Sequence, residues 1–292
     1  ILKERLFGLT GPEGNHGEDV KELYYYLDST PTHSWMRGLY KYPQAEFPYV
    51  QLVEENRRRG LGGGEFEIAD TGVFDDGRYF DMFADYAKAG PDHQLIRITV
   101  ANRGPEAATL HLLPSLWFRN LWSWGCTLEG VSRKPELRLV RDGVIAAEHE
   151  TLGAFEFQFA AASDGTPAEP LFTENESNHE RLWGTPNPSP YVKDAFHRHV
   201  VGGEIGAINP AHTGTKAALH YRLEVPAGGE RTVELQLFAP AESKPVAFGG
   251  PFAREMNRAR QEADEFYTAL APAAATPEER NVIRQGYAGL LW

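Results

Sequence analysis

Along most of the chain apolar and polar residues alternate with a period of two, the pattern of strands with one buried face and one wet face. Ile96, Ile98 and Val100 alternate with Arg97 and Thr99, and Phe155, Phe157 and Phe159 with Glu156 and Gln158. Leu219, Tyr221, Leu223 and Val225 form a third set, and Val233, Leu235 and Leu237 a fourth, with Pro226-Ala-Gly-Gly229 between them. Tight-turn residues separate such segments. Asp76-Gly77 divides Gly72-Val-Phe74 from Tyr79–Phe83, Asn102-Arg-Gly-Pro105 divides two strands, and Asp142-Gly143 divides Leu137–Arg141 from Val144–Ala147. Strands joined in this way are expected to pair antiparallel with their chain neighbours. Strands do not alternate with long helical segments, so the pattern predicts a mainly β, antiparallel two-sheet sandwich rather than a parallel α/β sheet.

Helical periodicity is concentrated at the end. Phe252, Met256, Ala259, Ala263, Phe266, Tyr267 and Leu270 keep a helical stripe, and Ala271-Pro-Ala-Ala-Ala275 links it to a second helix. There Thr276 suits the N-cap, Pro277 the first turn, and Glu279 the closing position of a capping box. Val282, Ile283, Tyr287, Leu290 and Leu291 follow at helical spacing, and no Gly, Pro or polar tail ends the run before Trp292. The expectation is a helix that continues into a larger protein. Two polar stretches, Gly11–Pro48 and Thr166–Pro210, read as long loop excursions, and loops of that length are usually functional or interfacial.

A net charge of −12 and a pI near 5.3 would repel a phosphate backbone, so nucleic acid is not an expected partner. The one basic cluster, Arg57-Arg58-Arg59, reads as a solvated patch or a carboxylate partner. No apolar run has the eighteen or so residues of a membrane helix. A single cysteine, Cys126, excludes an internal disulfide and suits a reducing compartment, so a cytoplasmic location is expected.

The segments Glu13–Asp28, Thr30–Met36, Tyr40–Gln44, Phe74–Asp81, Leu116–Asn120 with Trp122 and Trp124, Phe172–Glu176, Arg181–Gly184 and Gly214–Ala217 together resemble the N-terminal region of bacterial glycoside hydrolase family 63-type proteins, the glucosidase and mannosylglycerate-hydrolase-like enzymes. The resemblance implies a β-supersandwich packed on a C-terminal (α/α)6 barrel, with inversion at the anomeric carbon. It also places the catalytic carboxyl pair in the barrel, so no catalytic residue is carried onto this chain. The implied divisions are a sandwich over 1–250, a linker over 251–275 and the first barrel helix over 276–292. The implied partners are that barrel, within the same polypeptide, and carbohydrate.

Read on their own, the residues leave alternatives open. An inverting glycosidase needs a protonated carboxyl and a carboxylate roughly 6.5–9.5 Å apart. Glu13, Glu18, Asp19, Glu22 and Asp28 crowd one segment, but 41 acidic residues make hydrated or ion-paired clusters the ordinary explanation. Indole faces pack against sugar C–H surfaces, which singles out Trp35, Trp122, Trp124 and Trp183; packing inside the sandwich or against a barrel is the competing reading. The candidates for contact with substrate or barrel are thus His16, Glu18, Asp19, Trp35, Trp122, Trp124, Glu176 and Trp183. A carbohydrate-binding module is one alternative. A mutarotase-like isomerase is another, and it predicts two His and one Glu converging on the open face of a sheet, with His197, His199 and Glu224 as candidates. Zinc is not expected, because neither a Cys pair nor His-x-x-x-His is present, and Asp75–Asp81 lacks the closing Glu of a calcium loop. Gly60–Gly64 lacks the Lys-Ser/Thr of a phosphate loop. No cofactor is expected.

Overall fold

The computed structural model describes residues 23–60, 62–125 and 133–292. The strands, in chain order, are β1 (Leu23–Ser29), β2 (Trp35–Pro43), β3 (Tyr79–Gly90), β4 (His93–Asn102), β5 (Ala108–Leu112), β6 (Ser115–Trp117) and β7 (Glu136–Arg141). They continue with β8 (Val144–His149), β9 (Gly153–Phe159), β10 (Glu169–Thr173), β11 (Thr213–Gly214), β12 (Lys216–Val225) and β13 (Glu230–Phe238). The helices are α1 (Tyr49–Arg59), α2 (His179–Trp183), α3 (Ala195–Val200), α4 (Gly250–Leu270) and α5 (Pro277–Leu291). A nine-stranded sheet has the order β1-β2-β3-β4-β13-β9-β8-β7-β11, and a small sheet has the order β10-β12-β5 with β6 also pairing β12. The pairings are antiparallel.

The four alternating sets seen in the sequence all point into one core. Val100, Phe157, Leu219, Tyr221, Leu223, Val225, Val233 and Leu235 are buried there, and Ile96, Ile98, Phe155, Phe159 and Leu237 pack against them. Each strand thus offers one pleat face to the space between the sheets, and their summed apolar area drives the two layers together. Burial raises the Tyr221 hydroxyl above its ordinary range, and that hydroxyl donates to the Ala160 carbonyl at 2.7 Å.

Turn chemistry is partly as expected. Asp142-Gly143 closes the β7–β8 hairpin, with Gly143 at φ 76°. Asn102–Pro105 and Pro226–Gly229, by contrast, carry the chain from one sheet to the other, so their flanking strands are not partners. The buried Asn102 side chain makes the first crossing: its amide donates to the carbonyls of Glu106 (2.7 Å) and Val225 (2.9 Å), and its oxygen accepts from Gly104 N (2.8 Å). Asp76 and Gly77 do adopt positive φ, but residues 72–74 form no strand; a 3-10 turn precedes β3 there. The two stretches read as loops also carry regular structure, β1 and β2 in the first and β10, α2 and α3 in the second.

Opposite pleat positions build the outer layers. Leu95 and Ala87 face away from the inter-sheet core and pack with Trp35 against Phe252, Met256, Ala259 and Ala263 of α4. Phe266 and Leu270, in the same expected stripe, are exposed. On the outside of the small sheet, Phe196 of α3 covers Leu171 and Ala218. Helix α5 begins at the expected capping box, with Thr276 N donating to Glu279 Oε2 (2.8 Å) and Glu279 N to Thr276 Oγ1 (3.2 Å). It lies along edge strand β1, where Arg284 binds Asp28 (2.8 Å) and Asp264 (2.6 Å) and the Trp292 ring stacks on Tyr26 at 5.1 Å.

Candidate functional site

Four segments far apart in sequence meet at one end of the small sheet. Pairing of β10 with β12 sets Phe172 opposite Ala217 and Thr173 opposite Lys216, while β6 sets Leu116 opposite Ala217. A Cβ on Gly214 would lie 2.2 Å from the Thr173 carbonyl oxygen, so only glycine lets β10 and β11 approach this closely. The chain then leaves β10 through Glu174, Asn175 and Glu176 and enters α2, whose N-cap Asn178 accepts from Arg181 N at 3.1 Å.

Around that junction lies a polar cluster. The Trp122 indole donates to Glu176 Oε1 at 2.7 Å, and Lys134 Nζ lies 3.0 Å from Glu174 Oε2 and 3.2 Å from Glu176 Oε1. The same ammonium is 5.8 Å from the centre of the Trp122 ring. Thr215 Oγ1 donates to Glu174 Oε2 (2.6 Å), Asn175 Nδ2 to the Phe118 carbonyl (2.8 Å), and Asn120 Nδ2 to the Asn175 carbonyl (3.0 Å). Burial alone would pull the Lys134 ammonium down, but hydrogen bonds and charge from Glu174 and Glu176 outweigh it and move it up. One ammonium thus compensates two carboxylates, which is a structural arrangement. A general acid for glycoside cleavage needs instead a carboxyl held in its protonated form.

Beyond α2 a groove of about 790 Å³ is lined by residues that include Asn178, Glu180, Arg181, Asn187, Arg198 and Glu204. Arg198 holds Glu204 at 2.7 Å and Asn178 Nδ2 donates to the Asp194 carboxylate at 3.1 Å, so the walls are braced. Trp183, at the end of α2 beside Gly184 of this groove, is 63% exposed, with His179 edge-on at 4.8 Å.

Of the residues singled out from the sequence, the structure brings Trp122 and Glu176 together. The backbone of Trp124 closes the same 3-10 turn as Trp122. Trp183 stands apart, on α2. Trp35 is a core residue: it is 1% exposed beneath α4, and its indole donates to Asp28 Oδ2 at 2.8 Å, so it offers no face to a ligand. His16, Glu18 and Asp19 lie outside the described residues, as does Cys126. His197 and His199 sit on α3 rather than on a strand, and Glu224 sits on β12. Sequence reasoning passed over Lys134 and named Asn120 only within the Leu116–Asn120 motif; their roles arise only when β6, β10 and β12 align. Among the described residues, no helix is long and apolar enough to cross a membrane.

No protein-family model matches the chain. "Uncharacterized protein YMR196W" of Saccharomyces cerevisiae is 39% identical over 330 aligned positions, which take in 100% of this chain and 30% of that protein. The chain therefore spans less than a third of the curated relative's length. A solved structure, "Putative kojibiose phosphorylase from human microbiome", aligns over 72% of this chain and 21% of its own at 8% identity, with a TM-score of 0.31.

Proposed function

We propose that this chain is the non-catalytic β-sandwich part of a glycoside hydrolase, of the inverting, glucosidase-like kind that the family 63 resemblance implies. In this reading it supports a helical catalytic domain of the same polypeptide and shapes its substrate entrance. The observation that carries the proposal is the apolar surface of the two C-terminal helices. Val282 and Leu290, two turns apart on α5, are 68% and 85% exposed, and Phe266 and Leu270 on α4 are also open. Isolated exposed apolar residues are ordinary, but stripes repeated on linked helices call for a cover. The 39%-identical yeast protein is more than three times as long as the stretch matched, which leaves room for a domain to provide it.

The test compares the chain alone with the full-length protein on aryl α-glucosides and gluco-oligosaccharides. The chain alone is expected to release no sugar, and the full-length protein to release it with inversion. The double substitution Val282→Asp with Leu290→Asp should lower full-length activity at least tenfold while leaving the sandwich folded. Turnover by the chain alone, or full activity in the double variant, would overturn the reading.

The exposed Trp183 beside a braced polar groove favours a second role, carbohydrate contact by the sandwich itself. Calorimetric titration of the chain with malto-oligosaccharides, and of Trp183→Ala, checks it. Heats that persist unchanged in the variant remove this residue from any binding surface.

A further inference from the structure

The part of the small sheet's outer face that α3 leaves open carries a line of imidazoles and a carboxylate drawn from four elements. His220 of β12 stands opposite Glu169 of β10 in the strand register, and His111 of β5 stands opposite Arg222. His111 Nδ1 and His220 Nε2 are 2.8 Å apart. The two ring centres are 5.0 Å apart with their planes inclined by only 16°. Those two values together mean that the contact runs in the ring planes, nitrogen to nitrogen, rather than face over face. On its other side His220 Nδ1 is 3.3 Å from Glu169 Oε2, and His199 Nε2 of α3 is 3.9 Å from Glu169 Oε1.

With both rings neutral, this pattern fixes the proton positions. A carboxylate accepts, so His220 carries its proton on Nδ1 and presents the Nε2 lone pair towards His111. His111 then fills the gap with its own Nδ1–H. Should His111 move that proton to its Nε2, two neutral imidazole lone pairs would face each other, with no net proton lost. Zinc–nitrogen bonds of about 2.0–2.1 Å at a tetrahedral angle need nitrogens about 3.3 Å apart with each lone pair about 35° off the line between them, so the pair must open by about 0.5 Å and both rings must tilt. His111 is exposed and lies on an edge strand, where such a movement is easy.

We propose that His111 and His220 form a two-imidazole site for a divalent transition cation of the zinc or nickel type, with water completing the coordination. Glu169 acts as the orienting carboxylate, the partner that ligating histidines usually hold through their second nitrogen. Imidazole donors select such ions over calcium or magnesium. Among the described residues no group of three or more His, Cys, Asp and Glu side chains is placed to hold a metal ion, so the site is one of two protein ligands. A bound cation would tie edge strand β5 to β12. Arg222, which lies in register with His111, carries the same sign of charge as the cation; it also helps to hold the His111 imidazolium down, after burial and His220.

The test is titration of the whole chain with zinc and nickel chloride by calorimetry at pH 7.5, alongside the imidazole resonances of His111 and His220. One cation per chain is expected, with both resonances shifted. His111→Ala and His220→Ala should each weaken binding at least tenfold, and Glu169→Gln about tenfold. Arg222→Gln should tighten it, and His179→Ala, on a different surface, should leave it unchanged. Resonances of folded parent protein that do not move on saturation with zinc overturn the site without any substitution. So does a one-to-one stoichiometry that survives in the His111→Ala, His220→Ala double variant. Glu169→Gln binding as tightly as the parent overturns the orienting role.

Discussion

The core between the sheets and the contact of α5 with β1 hold their partners by different physics. Between the sheets the contact is apolar and continuous, with Phe172, Leu219, Tyr221, Leu223 and Leu235 at most 1% exposed. At β1 and β2 the contact is made by Arg284 on Asp28, by His33 Nε2 against the Leu291 carbonyl at 3.0 Å, and by the Trp292 ring over Tyr26 and Gly38. Val282 and Leu290 meanwhile face outward, while Ile283 and Leu291 are half-buried and Ala288 is buried. The sandwich is held by continuous apolar burial, whereas α5 is placed largely by a few directional contacts that leave Val282 and Leu290 uncovered.

The largest effect should come from the core. Phe172→Ala is expected to cost about 3–5 kcal/mol of stability, because the cavity sits where both sheets meet. Leu290→Ala should change it by less than about 0.5 kcal/mol. Urea denaturation followed by fluorescence reads both, and equal costs would break the comparison.

A pH series should sharpen it. Lys216 lies at the α3 side of the small sheet, 3% exposed, with Nζ 3.3 Å from the Lys193 carbonyl and 5.2 Å from the Phe196 ring centre. Burial first, and then the charge of Lys193, pull its ammonium down to about 8 from an ordinary 10.5. Between those values the unfolded chain binds the proton that the folded chain has released, so stability should rise as pH rises through that window. This group alone would contribute up to about 3 kcal/mol of that rise. Lys216→Met should remove that share of the rise and raise stability at pH 7. A variant whose pH profile parallels that of the parent would show that Lys216 does not titrate in this way.

Smaller and more local is the effect expected of Asp28→Asn. Asp28 is buried and serves both Arg284 and the Trp35 indole. Weakening these charge-assisted bonds should cost about 1–3 kcal/mol. Hydrogen exchange should speed up in α5 and at the β1 edge while β12 and β13 stay protected. Loss of protection throughout would mean that the two regions are one cooperative unit after all.

Much of the fold was legible because period-two alternation reports on one-sided burial, and every alternating set identified does line the same core. The capping box at Thr276 was legible because it is built from residues three apart. The partners of each strand were not. Asn102–Pro105 has the composition of a hairpin turn, yet the Asn102 side chain uses its hydrogen bonds to carry the chain between layers. The candidate site was legible in its residue types and not in its groupings. Trp122 and Glu176 were chosen separately and prove to be bonded, while Trp35 looked the same in sequence and is sealed beneath α4.

The local layer was therefore readable from the sequence: that the alternating segments form strands, which of their faces are apolar, and where α5 starts. Those properties depend on neighbours a few residues away. Tertiary structure alone decided which strands share a sheet, that Lys134 would serve two glutamates, and that His111, 109 residues before His220, would meet it nitrogen to nitrogen. Such contacts depend on the register between distant strands. That register is set by the packing of the whole core, and no short stretch of the chain contains it.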